Sequence, residues 1–344
     1  MEGHRLSLPK SVVICEQIVG EGFQAEEQFI PTESKVFLVE RMVDAGFKSI
    51  WISSFSHPQA QPQHRDSEEV YKRIPHNDDL NYLTATPNMR ALERAIKCKE
   101  SGGAGPTTVL ALVGTTEAYN QTLLGANTEE QLKRCEQILE AGHKAGFKVN
   151  LALVGIWYCL ITGNRVPGNV PYELTDRLMA MGPDEVSYGE GSEGPEAPSP
   201  ADAYEFFSRV LEKHPDPNKH SFHYHDKLGF GTAVFLAAMQ AGLTKFDVTL
   251  GGMSGYMSNI VDKVPTRGAT DPLYDYYISH GHYGQVPTED FVVMCESMGV
   301  QTGIDIDKLL RISVWLEKIV GRKLGSFCLK NRIGTIPPPF PRKA

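Results

Sequence analysis

The chain has 344 residues, of which 41% are hydrophobic and 22% are charged, a composition typical of a globular protein rather than a disordered one. Its formal net charge of -8 gives no general attraction to nucleic-acid phosphates or to anionic lipid. No apolar stretch approaches the roughly 20 residues that cross a bilayer, and the N-terminus has no apolar signal region. We therefore expect a cytoplasmic protein that binds neither nucleic acid nor a membrane.

Eight short apolar runs rich in β-branched residues recur along the chain, and a segment of helical character follows most of them. The runs are residues 11–17, 49–54, 82–86, 107–114, 148–155, 185–191, 221–225 and 245–252. Eight strand-helix units in one chain predict an α/β protein with a closed (β/α)8 TIM barrel rather than an open sheet. We expect one domain over the whole chain, with the barrel at about 11–320 and a C-terminal tail at about 321–344.

Two helical segments carry recognisable start and stop signals. "TESKVFLVERMVDAGF" places apolar residues at helical spacing, and "TEEQLKRCEQILEAGHKAGF" opens with Thr128, a residue type that caps helices. Both segments end in "AGF", with glycine where the helix is expected to stop. After the eighth run, residues 254–290 form a connection that is long enough to close over the barrel mouth.

Two histidines, His223 and His225, stand one residue apart in "FHYHDKLGFG" at the end of the seventh run. Residues i and i+2 of a strand share a face, and active sites of such barrels lie at the C-terminal strand ends. Two imidazoles presented there can bind one divalent metal, although two polar residues on a hydrogen-bonded strand would give the same pattern. Glu21, between two glycines after the first run, could be an oxygen ligand or only a turn residue. The combination favours a metal site.

These motifs, in this order and spacing, resemble the DRE-type metal-dependent TIM-barrel lyases, most closely the hydroxymethylglutaryl-CoA lyase branch. The similarity covers most of the chain, roughly from Leu8 to the helical region after Asp305. The matching stretches are "EGFQAE", "SSFSHPQAQPQ", "TPNMRALERAI", "FHYHDKLGFGTAVFLAAMQAG", "FDVTLGG" and "TEDFVVMCESMGVQTGIDIDKLL".

The resemblance implies a retro-aldol or retro-Claisen cleavage of a 3-hydroxyacyl thioester, with a metal held by an Asp, two His and an Asn. Carried to this sequence, the ligands fall on Glu21, His223, His225 and Gln285. The acidic and amide ligands are each one methylene longer than those of the family. The expected cofactor is a divalent metal, Mg, Mn or Zn, and the expected partner is a small-molecule substrate such as a coenzyme A thioester. We also expect a homo-oligomer.

Other positions depart from the pattern that the resemblance implies. Gly20 stands where the family has an arginine beside the reacting carbonyl, and Trp51 replaces a glutamate near the end of the second strand. Met253 replaces the cysteine of the family's mobile loop. Glu190 keeps a carboxylate after the sixth strand and is a candidate catalytic residue. Because the changes cluster at the reacting centre, we expect that hydroxymethylglutaryl-CoA itself is not the substrate.

Three further histidines could supply a general acid or base, because imidazole titrates near neutrality. His57 lies just beyond the second run, and His280 and His282 lie in the long connection before Gln285. Each could equally be a solvent-exposed loop histidine. Four tyrosines within residues 274–283 could line a substrate pocket or pack the connection on the barrel.

The leading interpretation is a divalent-metal-dependent carbon-carbon lyase acting on a 3-hydroxyacyl-CoA or a related hydroxy acid. The same site could catalyse the reverse chemistry, a Claisen-type condensation using an acyl-CoA. A third possibility is a catalytically silent family member that acts as a binding subunit. The missing arginine favours the silent alternative, and the retained histidine pair opposes it.

Overall fold

Eight parallel strands close a barrel in the order β1 to β8 in the computed structural model. The structure describes residues 7–24, 26, 28–59, 61–159, 161–190, 197–254 and 284–331. The strands are β1 Val13–Glu16, β2 Ser49–Ser54, β3 Asn81–Ala85, β4 Thr108–Gly114, β5 Lys148–Val154, β6 Glu185–Gly189, β7 His220–His223 and β8 Lys245–Val248. Each strand overlaps its predicted run, and the predicted TIM barrel is confirmed.

An α-helix follows each strand within the described ranges and covers the outside of the barrel. These helices are α1 Thr32–Asp44, α2 Ser67–Arg73, α3 Met89–Glu100, α4 Thr128–Lys144, α5 Val170–Met181, α6 Pro200–Lys213, α7 Gly231–Gln240 and α8 Thr288–Ser297. Two more, α9 Ile306–Val320 and α10 Phe327–Lys330, follow the barrel. None of the helices described here has the length and apolar character needed to span a membrane.

The start of α4 differs from the sequence prediction. Asn127 rather than Thr128 is the capping residue, because its side chain accepts the Glu130 N–H at 2.9 Å and the Glu130 carboxylate accepts the Asn127 N–H at 3.1 Å. Thr128 is the first helical residue. The predicted stops hold: after α1 and α4 the chain turns at Gly46 (φ 103°) and Gly146 (φ 74°), left-handed conformations that favour glycine.

The long connection after β8 and the end of the chain fall mostly outside the described residues. Residues 255–283 and 332–344 are among those not described. The predicted closure of this connection over the barrel mouth therefore stays a prediction. The beginning of the predicted tail contains α10 and packs beside α8, since the Asp290 carboxylate accepts the N–H groups of Phe327 at 2.9 Å and Cys328 at 2.8 Å.

A buried glutamate holds the turn that follows β8, residues 250–252. Glu16, fully buried at the end of β1, accepts the backbone N–H groups of Ile18 and Leu250 at 2.9 Å each and the Thr288 hydroxyl at 2.6 Å. Burial raises the pKa of Glu16 to about 8 despite these hydrogen bonds. The end of β1 and the start of α8 are thereby tied to the same turn.

A second buried acid acts on the same turn. Glu289 accepts the Gly251 N–H at 3.0 Å and also the Ser313 hydroxyl, which joins α9 to the turn. Burial raises the pKa of Glu289 to about 7. Gly251 has φ 64°, which an L side chain rarely adopts, so the turn depends on glycine there as well as on the two acids.

The raised pKa of Glu16 predicts a stability that falls with rising pH. A carboxyl group whose folded pKa exceeds its unfolded value stabilises most below the unfolded pKa, near 4.5, and loses that contribution as pH rises through about 8. Glu16→Gln keeps the shape but cannot ionise. Its free energy of unfolding relative to wild type should therefore rise by about 1 kcal/mol or more between pH 5 and pH 8 in urea unfolding. Exposed Glu212→Gln is the control, and parallel Glu16→Gln and wild-type profiles would contradict the prediction.

Candidate metal centre

Three metal-ligand side chains meet at the C-terminal ends of β1 and β7. His223 is the last residue of β7, His225 lies two residues further on, and Glu21 lies in a helical turn, Ile18–Gly22, directly after β1. One ligand atom from each side chain can be chosen so that all three lie within 4.8 Å of one another. The structure therefore brings together the three residues that the sequence predicted as principal ligands.

The Glu21 carboxylate lies between the two imidazoles. Its Oε1 is 2.9 Å from His225 Nε2, and its Oε2 is 3.4 Å from His223 Nε2. Glu21 is 5% exposed, so its charge is removed from bulk water. Burial alone would raise its pKa, but the attraction and hydrogen bonds of the two histidines outweigh burial and hold the pKa well below its usual value.

Both histidines turn their other ring nitrogen toward a carboxylate. His225 Nδ1 lies 2.9 Å from Glu190 Oε1, and His223 Nδ1 lies 3.3 Å from Asp247 Oδ2. A carboxylate that accepts from Nδ1 orients the ring and makes Nε2 the atom that would bind a metal when the ring is neutral, an arrangement found beside most metal-binding histidines. Both Nε2 atoms face Glu21. The donor set therefore fits a divalent cation between Glu21 and the two rings.

The charge state of Glu190 follows from its partner. Burial would raise its pKa, but the charge of His225 and the hydrogen bond to it lower the pKa to about 2. Burial would lower the pKa of His225, yet the charge of Glu190 keeps it raised. Glu190 is thus ionised near neutrality, and it touches His225 directly. This contact is that of a group that would orient a metal-binding histidine, and the catalytic role expected of Glu190 stays a prediction.

Gln285 also reaches this centre. It is 1% exposed, forms an antiparallel bridge with His225, and donates from Nε2 to Gln17 Oε1 at 2.7 Å. Its Oε1 is buried without a hydrogen-bond partner among the described residues. An unpaired buried amide oxygen costs free energy unless something binds it. The amide nitrogen, Nε2, lies 3.5 Å from His223 Nδ1, the ring nitrogen that faces Asp247. The role of Gln285 as the fourth ligand therefore stays a prediction.

Asp247 and Ser254 belong to the centre but were not predicted. Asp247 lies in β8 between two outward-facing apolar residues, Phe246 and Val248, and this alternation was the available signal. The Ser254 hydroxyl donates to Glu21 Oε1 at 2.7 Å and lies 3.2 Å from His225 Nε2. Nothing in the sequence around Ser254 indicates this contact, because it follows from the turn after β8.

Gly20 and Trp51 are sterically coupled. A Cβ atom at position 20 would lie 2.3 Å from Cδ1 of the Trp51 indole and 2.8 Å from the Trp51 carbonyl oxygen. The indole Nε1 donates to the Ser53 carbonyl at 2.6 Å, which fixes the ring in this place. The space beside position 20, where the resemblance predicts an arginine, is therefore occupied by an aromatic ring from β2.

The remaining predicted residues are separated from this cluster or lie outside the described part of the chain. His57 is exposed in the loop after β2, and its Nδ1 accepts the Gln59 N–H at 3.3 Å. It lines the same cavity as Glu21 and His223, a space of about 690 Å³, which is within the usual range for small-molecule sites. His280 and His282, like the tyrosines of residues 274–283, fall outside the described residues.

The sequence also matches a known family over most of its length. A family model described as HMGL-like matches residues 11–315. The chain belongs to this family. The predicted resemblance to hydroxymethylglutaryl-CoA lyases is thereby confirmed at the level of the family, and the TIM barrel is the fold of its solved relatives.

Two curated relatives give the distance of this chain from characterised family members. Hydroxymethylglutaryl-CoA lyase YngG of Bacillus subtilis is 29% identical over 318 residues, 92% of this chain and 96% of the relative. The mitochondrial hydroxymethylglutaryl-CoA lyase of Homo sapiens is 28% identical over 320 residues, 93% of this chain and 89% of the relative. Both alignments run almost end to end.

Solved structures agree with the barrel. The HMG-CoA lyase of Bacillus subtilis has a TM-score of 0.81 at 28% identity, covering 94% of this chain and 99% of that chain. An HMG-CoA lyase of Acinetobacter baumannii, solved with coenzyme A and 3-methylmalate, has a TM-score of 0.81 at 24% identity, covering 96% and 98%. At 24% identity, the similarity to the Acinetobacter baumannii enzyme supports the fold alone.

Removing both histidines should abolish metal binding. We expect His223→Ala/His225→Ala to lose stoichiometric metal in elemental analysis, because one carboxylate and one amide cannot hold a divalent ion tightly. His76→Ala, which changes an exposed histidine away from the centre, is the matched control and should keep its metal. Unchanged metal content in the double variant would refute the site.

The carboxylates behind the histidines should tune metal affinity. Glu190→Gln and Asp247→Asn keep the side-chain shape but weaken the hold on Nδ1, so each should lower metal affinity by about 10- to 100-fold in a competition titration with a chelator. Exposed Glu212→Gln should leave affinity unchanged. Wild-type affinity in both buried variants would mean that these carboxylates do not orient the ligands.

Proposed function

We propose that the protein is a divalent-metal-dependent carbon-carbon lyase that acts on a 3-hydroxyacyl-CoA or a related hydroxy acid other than hydroxymethylglutaryl-CoA. The observation that carries the proposal is the pair of imidazoles whose Nε2 atoms face Glu21 while Glu190 and Asp247 hold their Nδ1 atoms. Histidines that bind metals typically have this arrangement. Membership of the HMGL-like family supports the reaction class.

A coenzyme A thioester is the substrate class that the relatives support. The curated relatives are named hydroxymethylglutaryl-CoA lyases, and a structurally similar HMG-CoA lyase was solved with coenzyme A and 3-methylmalate. The cavity beside Glu21 opens past His57 and Asn88, at the C-terminal face of the barrel. A thioester could enter there and place its 3-hydroxyacyl group against Glu21, His223 and His225.

The cleavage itself is a retro-aldol type of step. The substrate's 3-hydroxyl loses its proton, the bond between C2 and C3 breaks, and its electron pair passes to the thioester carbonyl as an enolate. C3 leaves as a carbonyl compound, and protonation of C2 gives the shorter acyl thioester. A divalent cation held by Glu21, His223, His225 and Gln285 would supply Lewis-acid polarisation of the substrate's oxygens.

The chain's own groups divide the remaining tasks. His57 lines the cavity and is exposed at its mouth, and it is the candidate general base among the described histidines outside the cluster. Glu190, with a pKa of about 2, remains a carboxylate and orients His225. His280 and His282 remain candidates for the second proton transfer.

Hydroxymethylglutaryl-CoA should be a poor substrate for the metal-loaded enzyme. Loss of one preorganised donor to a reacting oxygen typically costs about 10²- to 10³-fold in rate, and the Trp51 ring occupies the space of the expected arginine beside Gly20. In steady-state assays over a panel of 3-hydroxyacyl thioesters and hydroxy acids, another compound should have the higher kcat/KM.

The Bacillus subtilis lyase, assayed in parallel, is the positive control for reagents and metal. If this protein cleaved hydroxymethylglutaryl-CoA as well as that control does, the claim of an altered substrate would be wrong. Stoichiometric metal without cleavage of any compound in the panel would instead support the silent alternative and refute the proposed lyase.

A further inference from the structure

The cavity that begins at Glu21 continues down the inside of the barrel, and we call this inner part the lumen. Alternate residues along β5, from Val154 through Ala152 and Asn150 to Lys148, all line it. The four residue steps from Ala152 to Lys148 span roughly 13 Å. Barrels of this fold normally fill this space with layers of bulky side chains. The lumen is therefore deep enough to hold part of a substrate.

One wall of the lumen is apolar. Its side chains come from three neighbouring strands: Leu83 and Ala85 from β3, Leu110 from β4 and Ala152 from β5. The two alanines are short, so the wall leaves more space beside them than bulkier side chains would. A hydrocarbon group that passed the histidines would be buried against this wall.

The polar groups on the opposite side and at the bottom are paired with one another. The Glu185 carboxylate accepts from the Ser221 hydroxyl at 2.6 Å, from Asn150 Nδ2 at 3.2 Å and from Lys245 Nζ at 2.7 Å. Because these groups already satisfy each other, they do not demand a polar ligand. These three donors therefore do not oppose the burial of an apolar group beside them.

Cationic side chains are remote from the middle of the lumen. Among the described residues that line the cavity, Lys and Arg occur only at the strand starts or on α4: Lys48, Lys148, Lys245 and Arg134. The upper end instead carries the carboxylates Glu21, Glu190 and Asp247. A second substrate carboxylate in the middle of the lumen would find no Lys or Arg side chain there among the described lining residues, and an unpaired buried charge is costly.

We propose that the substrate carries an unbranched aliphatic acyl chain, without a second carboxylate, and that this chain lies in the lumen against Leu83, Leu110 and Ala152. The inference rests on the proposed function, because that reaction supplies the 3-hydroxyacyl thioester whose chain is placed here. The lumen would then determine which lengths of acyl chain the protein binds.

Binding calorimetry on metal-loaded protein tests the proposal. The probes are 3-hydroxyacyl-CoA thioesters of four, six and eight carbons, with hydroxymethylglutaryl-CoA for comparison. Each added methylene should tighten binding about fourfold, the value expected for burial of one CH₂. Equal affinity along the series, or tightest binding of hydroxymethylglutaryl-CoA, would overturn the proposal.

Two lumen variants with opposite effects connect the preference to the wall. Ala152→Phe should fill the lumen and abolish the gain for the eight-carbon probe while leaving the four-carbon probe unchanged, and Leu110→Ala should allow longer chains. Ala201→Phe, the same change at an exposed position of α6, is the matched control. Ala85→Leu, a smaller filling change, replaces Ala152→Phe if that variant does not fold. An unaltered chain-length series in the filled variant would overturn the proposal.

The result also separates this inference from the lyase proposal. Chain-length-dependent binding without cleavage would uphold the lumen as an acyl site and refute the proposed reaction. Cleavage that is indifferent to chain length would uphold the reaction and refute the lumen proposal.

Discussion

The pairing of β1 with β8 is the constraint on which the candidate site depends. Val13 to Glu16 pair in parallel with Lys245 to Val248, and β7 pairs with β8 so that His223 lies beside Asp247. This closure brings Glu21 within 2.9 Å of His225, although 204 positions separate them in the chain. An open sheet of the same strands would leave the carboxylate and the imidazoles at opposite edges. The buried acids Glu16 and Glu289 hold the turn after β8 in the same region. Their hydrogen bonds therefore support both the barrel closure and the geometry of the site.

Charge balance links this closure to metal binding. Three buried carboxylates, Glu21, Glu190 and Asp247, surround two imidazoles. Buried negative charge is costly unless it is paired, and the raised pKa values of His223 and His225 show that protons can supply the pairing. Two imidazolium protons and one divalent cation carry the same charge. Binding of a divalent cation at this centre would therefore release protons, and the same carboxylates that would stabilise the protonated rings would orient the neutral rings toward a metal.

The sequence predicted what depends on local pattern. The eight strands follow from short β-branched runs, and His223, His225 and Glu21 follow from the rule that chemistry gathers at the C-terminal strand ends. The eighth run was predicted through Gly252 but the strand ends at Val248, because Leu250 is buried in a turn rather than in a strand. From the sequence alone, apolar residues that pack in a turn cannot be distinguished from apolar residues of a strand.

What depends on contacts between distant segments was not predictable. Ser254 reaches Glu21 only because two buried acids fix the turn before it. The fit between Gly20 and Trp51 joins the backbone of one strand end to a side chain of its neighbour, and neither residue alone indicates it. In the sequence, Gly20 and Trp51 are two separate departures from the family pattern. In the structure they depend on each other sterically.

Gly20 and Trp51 together alter the charge and polarity at one end of the cavity. The Trp51 ring excludes any side chain at position 20, so a cationic group and the indole cannot occupy this space together. Compared with the arginine that the resemblance implies at position 20, this end of the cavity has less positive charge and more apolar surface, beside a lumen whose β3 to β5 wall is also apolar. The candidate metal ligands are unaffected, since Glu21, His223 and His225 still converge. The combination retains the means of polarising the two oxygens of a hydroxyacyl group and alters what surrounds the rest of it. The difference from the hydroxymethylglutaryl-CoA lyases should therefore reside in the acyl part of the substrate, where polarity and length vary, rather than in the bond that is broken.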